Sequence, residues 1–292
     1  MARSRLAPRL LVAPACIAAL LSASAALAAG GTAGKVKLAA GQVGSAVSRC
    51  PAGKGIVAAG FGAGNFTPGL GGAAPVRVGS HRLGPRRLRT TGYNFGEKPG
   101  TLRGIPYCSK LGLGVRVARQ KVFLPPQTPG VAIATCPPGT EAISGGFASP
   151  GFADQGPRVV ALTSRREGRN AWRVEAFNLV DGSGPDPQPH AGTLVAYAYC
   201  LEHGPRILTR SRTAAAGAMG VPRKVTARCP DRTRVLSGGF DGNIYLSVDS
   251  TGSGAVASRR LGPRAWQTSS VTISDRKGAK ATVYAYCVRG RR

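Results

Sequence analysis

The chain has 292 residues, with 40 lysines and arginines against 12 aspartates and glutamates, a formal net charge of +28. Its 42 glycines and 22 prolines interrupt the apolar runs too often for long helices, so a predominantly helical fold is excluded. This length allows one to three domains, and the positive charge favours an anionic partner.

The first 28 residues predict a signal peptide. A positive head precedes an apolar stretch over residues 10–27, and a small-x-small cleavage site ends at Ala28. The head contains Arg3, Arg5 and Arg9. Cleavage there leaves no transmembrane segment. The alternatives are an uncleaved membrane anchor, which Pro14 and the many alanines disfavour, and a lipid-modified Cys16, which lacks the preceding large aliphatic residue of such sites.

The rest of the chain repeats one pattern three times. Each copy opens on Cys-Pro, has Gly-Phe ten residues later, and closes on Tyr-Cys. The openings are Cys50-Pro51, Cys136-Pro137 and Cys229-Pro230, the middle pairs Gly60-Phe61, Gly146-Phe147 and Gly239-Phe240, and the closings Tyr107-Cys108, Tyr199-Cys200 and Tyr286-Cys287. Openings spaced by 86 and 93 residues predict three copies of one unit. We assign residues 29–109, 110–202 and 203–292 to repeats 1, 2 and 3, the last with a basic tail.

Removal of the signal peptide also removes Cys16 and leaves six cysteines. An even number in an exported chain predicts disulfides, and independent copies would each pair their own two cysteines. The predicted bonds are Cys50–Cys108, Cys136–Cys200 and Cys229–Cys287. A loop of about 60 residues closed in this way stabilises its repeat by roughly 4 kcal/mol if the effect is entropic. No cysteine has a second cysteine at metal-ligand spacing, so no metal or cofactor is predicted.

Short apolar runs between turn residues predict an all-β fold. Repeat 3 has seven such runs, at residues 206–213, 224–229, 234–238, 244–249, 255–261, 266–274 and 281–288. Seven strands in about 85 residues are typical of a small antiparallel sandwich. We therefore predict three tandem antiparallel β-sandwich-like repeats with one disulfide each.

Three features of the repeat predict positions within each unit. The Gly-Phe pair predicts a buried ring beside a bulge or a close backbone approach. The rings are Phe61, Phe147 and Phe240. A later Ser-x-Arg-x-Gly segment predicts a hairpin loop. Its glycines are Gly84, Gly168 and Gly262. The next strand carries a large apolar residue, which is smallest in repeat 1 and predicts a smaller core there. These residues are Leu88, Trp172 and Trp266.

The arginine of the Ser-x-Arg-x-Gly segment is the one charged position that recurs at equivalent places. It is Arg82, Arg166 or Arg260. A repeated binding function should rest on repeated residues, so these arginines, with Trp172 and Trp266, are candidates for weak anion or sugar sites that add by avidity. The alternative is structural, with each arginine covering the aromatic ring or bonding turn carbonyls.

Positive charge is concentrated in repeat 1. Residues 49–108 contain nine basic residues and one acid, whereas residues 136–200 contain five basic and six acidic residues. A second candidate site lies in repeat 1, where arginines surround aromatic rings in a mixture suited to phosphates and stacking. Its residues are Arg86, Arg87, Arg89 and Tyr93. The alternatives are a solvated sheet face and, for 31 arginines against 9 lysines, the coding bias of a GC-rich genome.

The usual parts of an active site are scarce. The histidines are His81, His190 and His203, none at equivalent repeat positions. The sequence contains no HExxH, Gly-x-Ser-x-Gly, Walker or dinucleotide-binding motif. A carboxylate pair for sugar hydrolysis would come from Asp154, Glu167 and Glu175, but such groups on a sheet usually pair with arginine. We predict no catalytic residues.

The succession Cys-Pro-x-Gly, Gly-Gly-Phe, a tryptophan strand and Tyr-Ala-Tyr-Cys resembles that of uncharacterised secreted repeat proteins of high-GC bacteria. Two positions depart from it, because Arg232 and Ala59 replace glycines. The resemblance covers nearly all of the chain after the signal peptide and implies export and a β-rich unit, but no activity. A looser likeness to the vitelline membrane outer layer protein family implies a single pseudo-threefold β-prism as the alternative architecture, although the repeats here are longer.

These features predict an exported, non-enzymatic protein that binds anionic or saccharide polymers at the cell surface or cell wall. Nucleic acid would bind only nonspecifically. The alternatives are a structural or adhesive envelope protein with a protein partner, and a secreted hydrolase with an unrecognised site. The sequence predicts no particular oligomeric state.

Overall fold

A computed structural model describes residues 31–67, 71–153, 156–179, 190–218, 221–242, 252–272 and 279–289. The predicted signal peptide, the last three residues of the basic tail and the predicted strand at 244–249 lie outside them. The described residues form eighteen strands and one 3₁₀ turn at Lys110–Leu113. The all-β prediction is confirmed.

Within the described ranges, each repeat contains six strands. Repeat 1 contains β1 (Gly34–Leu38), β2 (Val43–Arg49), β3 (Gly55–Gly64), β4 (Pro75–Gly84), β5 (Arg87–Asn94) and β6 (Gly100–Ser109). Repeat 2 contains β7 (Arg116–Leu124), β8 (Pro129–Thr135), β9 (Thr140–Ala148), β10 (Val159–Glu167), β11 (Ala171–Asn178) and β12 (Gly192–Glu202). Repeat 3 contains β13 (Leu208–Ala215), β14 (Arg223–Arg228), β15 (Thr233–Gly242), β16 (Ser253–Arg260), β17 (Ala265–Thr272) and β18 (Lys280–Arg289). The glycine loops separate β4 from β5, β10 from β11 and β16 from β17, so the three predicted hairpins are present.

Each repeat divides its strands between two half-sheets. In repeat 1, β1, β6 and β3 are neighbours in one sheet, β2, β5 and β4 are neighbours in another, and the two halves pack together. Repeats 2 and 3 divide their strands in the same way. Each repeat is therefore sandwich-like, as predicted.

Half-sheets of different repeats join edge to edge. β4 pairs with β9, β10 with β15, and β16 with β3, always antiparallel. The result is three six-stranded sheets, named here by the repeats they join: sheet 1/2 (β2-β5-β4-β9-β12-β7), sheet 2/3 (β13-β18-β15-β10-β11-β8) and sheet 3/1 (β1-β6-β3-β16-β17-β14). Because the joins close into a ring, the repeats form one pseudo-threefold body, the closed arrangement of the alternative architecture.

All three predicted disulfides are present. They are Cys50–Cys108, Cys136–Cys200 and Cys229–Cys287. The first cysteine of each pair follows the second strand of its repeat, and the other lies on the sixth strand, in the opposite half-sheet. Each disulfide therefore ties together the two halves of one sandwich.

The Gly-Phe pairs lie where two repeats join. The three phenylalanines are at most 5% exposed, as predicted. A Cβ at Gly60 would lie 3.0 Å from the carbonyl oxygen of Ser258, and one at Gly239 would lie 2.7 Å from that of Ser164. The predicted close approach is thus confirmed. The bulge is elsewhere, four residues before each phenylalanine, at Val57, Ile143 and Leu236.

Two tryptophans fill the interiors of repeats 2 and 3. Trp172 and Trp266 are 2% and 1% exposed, and each indole N–H donates to a serine hydroxyl. Each ring lies against a glycine of the Gly-Gly-Phe segment. A Cβ at Gly145 would overlap the indole of Trp172, and one at Gly238 would overlap that of Trp266.

Repeat 1 differs at both of these positions. Leu88 replaces the tryptophan and Ala59 replaces the glycine, and the two pack together in a small cluster with Cys50 and Ile56. Because leucine is smaller than tryptophan, it leaves room for the alanine methyl group. The two departures compensate each other, and the core of repeat 1 is smaller, as predicted.

This pairing predicts that Gly238→Ala lowers the free energy of unfolding by about 1–3 kcal/mol, because the methyl group overpacks the core. Combining it with Trp266→Leu recreates the repeat 1 combination, so the double variant should lose less stability than the sum of the single changes. Urea unfolding measures all three. Gly62→Ala is the control, since its Cβ meets no atom within 4 Å. Strictly additive losses would contradict the pairing.

Candidate functional site

The recurrent arginine contacts a closing tyrosine across each join between repeats. Its backbone N–H donates to the tyrosine hydroxyl of the adjoining repeat. The pairs are Arg82–Tyr199 (2.8 Å), Arg166–Tyr286 (2.7 Å) and Arg260–Tyr107 (2.7 Å). Burial raises the pKa of all three tyrosines, and the arginine N–H opposes it to a smaller extent. The neutral phenol is therefore the form that the fold favours.

The guanidinium groups of these arginines donate to backbone carbonyls. The bonds run from Arg82 to Gly112 (3.1 Å), from Arg166 to Ala142 (2.7 Å) and from Arg260 to Leu236 (3.1 Å). Arg166 also pairs with Glu141 at 3.4 Å. Such contacts are those of the structural alternative. A ligand role for these arginines stays a prediction.

The aromatic members of the predicted sites lie in the interior. Trp172 and Trp266 fill their repeats, as described above. Tyr93 is 4% exposed, and its ring centroid lies 4.6 Å from that of Phe95 and 5.2 Å from that of Phe152. The described structure therefore does not bring these rings to the surface beside Arg86, Arg87 and Arg89, which are exposed.

The exposed arginines of repeat 1 belong to a larger surface on sheet 1/2. In β5, Arg87 and Arg89 alternate with buried residues, and Arg87 pairs with Arg49 of β2. At the far edge of the sheet, Arg119 and Lys121 of β7 are exposed. We call these five cations, together with His81 and Tyr197, the basic face.

An aromatic pair lies in the middle of the basic face. His81 pairs with Arg89 across β4 and β5, and Tyr197 pairs with Arg119 across β12 and β7. The two rings stack with centroids 4.9 Å apart and planes inclined by 9°. Gly146 of β9, opposite Tyr197, has no side chain to separate them. Burial, and to a smaller extent the charge of Arg89, lowers the pKa of His81.

A hollow of about 280 Å³ adjoins the basic face. It is lined by Gly84 and Pro85 of the hairpin loop and by three arginines with Cys50. The arginines are Arg49, Arg86 and Arg87. Arg86 also donates through Nε to the carbonyl oxygen of Cys50 at 3.2 Å, which holds its side chain beside Cys50. The hollow thus gathers three positive charges around an apolar floor.

Two arginines of sheet 2/3 lie at places equivalent to members of the basic face but have acidic partners. Arg165 and Arg173 occupy the places of His81 and Arg89 in repeat 2. Arg165 pairs with Glu167 at 2.7 Å and with Asp241 at 3.3 Å, and Arg173 pairs with Glu175. Among the described residues, the five cations of the basic face form no ion pair.

The carboxylates considered for catalysis contact arginines where the structure describes them. Glu167 and Glu175 are bound to arginines, and Asp154 lies outside the described residues. His203 is 93% exposed at its side chain. No three histidine, cysteine or carboxylate side chains within the described ranges are grouped for a metal. The same part of the chain has no helix long and apolar enough to span a bilayer.

Sequence reasoning missed His81, Tyr197 and Arg119 as members of one surface. They lie on three strands from two repeats, and only the β4–β9 join brings them together. The alternation of side chains along β12 gives no signal for the outward position of Tyr197, because Val195 and Tyr199, which share its face by period two, are buried. No family model matches this sequence, and no curated protein matches it.

The contacts of the three closing tyrosines predict that the free energy of unfolding falls at high pH. Tyrosine in the unfolded chain has a pKa of about 10, and the three buried phenols titrate higher. Their contribution to the free energy of unfolding is therefore fully present below pH 10 and is lost as the pH rises above it. Tyr199→Phe should cost about 1–3 kcal/mol at neutral pH, because the N–H of Arg82 loses its partner, and should flatten the alkaline decline. Chemical unfolding between pH 7 and 11 tests both effects.

The control is Tyr197→Phe, whose hydroxyl has no hydrogen-bond partner in the described structure. Its neutral-pH stability should change by less than about 0.5 kcal/mol. An equal loss for both variants would show that the bond to Arg82 is not the stabilising contact.

Proposed function

We propose that this protein is an exported, non-enzymatic protein that binds anionic polymers of the cell surface through the basic face of sheet 1/2. The observation that carries the proposal is the difference between two equivalent sheet faces. On sheet 2/3, Arg165 and Arg173, at the places of His81 and Arg89, are neutralised by carboxylates of the same chain, whereas on the basic face Arg49, Arg87, Arg89 and Arg119 have no acidic partner within the described residues. A coding bias toward arginine gives no reason for such a difference.

The layout of the basic face suits an extended partner. Arg89 and Arg119 are separated by four strand spacings, or about 19 Å across the sheet. One small anion cannot contact both residues, but a chain of regularly spaced phosphates, sulfates or carboxylates can. The stacked rings of His81 and Tyr197 lie between them and offer a surface for a sugar ring. Polymers with charged groups on a saccharide backbone combine both features.

Two further features support export. The predicted signal peptide precedes the described residues, and three disulfides persist only in an oxidising compartment. A basic protein released outside the cell meets the anionic polymers of the envelope first, and long-range attraction speeds that encounter.

The proposal predicts weaker binding when the basic face loses charge. The triple variant Arg49→Gln, Arg87→Gln, Arg89→Gln should bind immobilised teichoic acid or a sulfated polysaccharide less tightly. The slope of log affinity against log salt should become shallower by about 2–3, since each lost phosphate contact removes about 0.7–0.9. Affinity chromatography with a salt gradient measures this slope, with neutral dextran as the uncharged matrix.

The matched control is Arg210→Gln, Arg212→Gln, Arg223→Gln, which removes the same charge from exposed positions on β13 and β14. It should change the affinity and the slope little. Equal weakening by both triple variants would mean that binding follows total charge alone, and the basic face would have no special role. Retention on neutral dextran that is indifferent to salt would also contradict the proposal.

A further inference from the structure

The centre of the molecule contains a charged side chain that the pseudo-threefold symmetry does not require. Arg77 of β4 is 7% exposed. The residues at the same distance before the recurrent serine in repeats 2 and 3 are Ala161 and Ala255. The guanidinium carbon of Arg77 lies close to the rings of the three Gly-Phe pairs. It is 3.7 Å from the ring centroid of Phe61, 4.2 Å from that of Phe147 and 5.1 Å from that of Phe240.

The ring faces satisfy only part of this guanidinium. Cation–π contacts are made by its flat surface, whereas its N–H bonds point outward in its plane. Nε and Nη2 of Arg77 are buried and have no hydrogen-bond partner among the described residues. These two nitrogens form one edge of the group, and their N–H bonds run side by side. That edge binds a single acceptor through two bonds.

The charge of Arg77 also lacks compensation. No carboxylate in the described part of the chain forms an ion pair with it. An arginine does not lose its proton at ordinary pH, and burying a charge alone costs much more than leaving one hydrogen bond unmade. Burial lowers the pKa of Arg77, and the interaction with Tyr199 opposes this only in part. The surroundings therefore favour a negative charge beside the guanidinium.

A cavity of about 20 Å³ adjoins Arg77. One serine from each repeat lines it, and these are Ser80, Ser164 and Ser258. The hydroxyl oxygen of Ser164 accepts from the indole N–H of Trp172 at 3.0 Å, and its own hydrogen has no acceptor in the described structure. Most of the remaining lining is alanine, glycine and aromatic ring. The volume holds one water-sized particle.

We propose that this cavity binds one monatomic halide ion, with chloride as the physiological ligand. Nε and Nη2 of Arg77 hold the ion through two hydrogen bonds, and the hydroxyl of Ser164 donates a third. A water molecule would satisfy the hydrogen bonds but leave the charge uncompensated. Sulfate and phosphate exceed the volume. Because the ion lies among residues of all three repeats, its binding stabilises the closed ring.

The test compares sodium chloride with sodium gluconate at equal ionic strength in the unfolding of the whole protein. Gluconate is too large for the cavity. Raising chloride to about ten times its dissociation constant should lower the unfolding equilibrium constant about tenfold, each further tenfold rise in chloride should lower it about tenfold again, and bromide should act in the same way. In Arg77→Met, the difference between the two salts should disappear. In Arg89→Met, which removes an exposed charge, the difference should remain.

Identical unfolding of the native protein in chloride and gluconate would overturn the proposal, as would an undiminished difference in Arg77→Met. A second measurement does not depend on a variant that folds. In crystals of the native protein grown in bromide, anomalous scattering should place a bromide beside Nε and Nη2 of Arg77. Ordinary water density at that position, without an anomalous peak, would overturn the proposal.

Discussion

The whole fold depends on the edge-to-edge contact between one repeat and the next. Each join pairs only two residues on each strand, as with Gly79 and Ser80 against β9, so the ladder needs other support. That support comes from the repeated features of the sequence. Glycine permits the close backbone approach, phenylalanine fills the axis, and the arginine N–H bonds the closing tyrosine. Because the joins close into a ring, one of the two strand edges that each half-sheet of an isolated sandwich would leave open is paired.

The two binding sites proposed above lie where the repeats depart from one another. Residues common to all copies build the frame and bond within it, as Nη2 of Arg82 does with the carbonyl oxygen of Gly112. The cations of the basic face and Arg77 stand at non-equivalent positions, and they have no ion-pair partner within the described chain. The basic face has cations where sheet 2/3 has ion pairs, and Arg77 stands where the other repeats have Ala161 and Ala255. Three repeats of the same strand arrangement therefore carry charged side chains that differ from one repeat to the next.

The sequence predicts the features that lie within one repeat. The disulfides, the hairpins, the buried phenylalanines and the sandwich halves all follow from the spacing of repeated residues and from period-two alternation. It predicts less well what forms between repeats, because Arg82 and Tyr199 are 117 residues apart and no local pattern joins them. Tyr93 illustrates a second difficulty. The sequence shows an aromatic residue among arginines, but it does not show whether the ring faces the interior or the solvent. The sequence does single out Arg77, because the other two copies have alanine at this position. It does not show that Arg77 is buried, because that burial depends on the closed ring of repeats.

Differential scanning calorimetry of the intact protein tests the central claim most directly. If the joins make the three repeats one body, the chain should unfold in a single transition, with a calorimetric enthalpy equal to the van't Hoff enthalpy. If the repeats are independent sandwiches held by a common chain, the calorimetric enthalpy should be about three times the van't Hoff value, or separate transitions should appear. That second result would contradict the account.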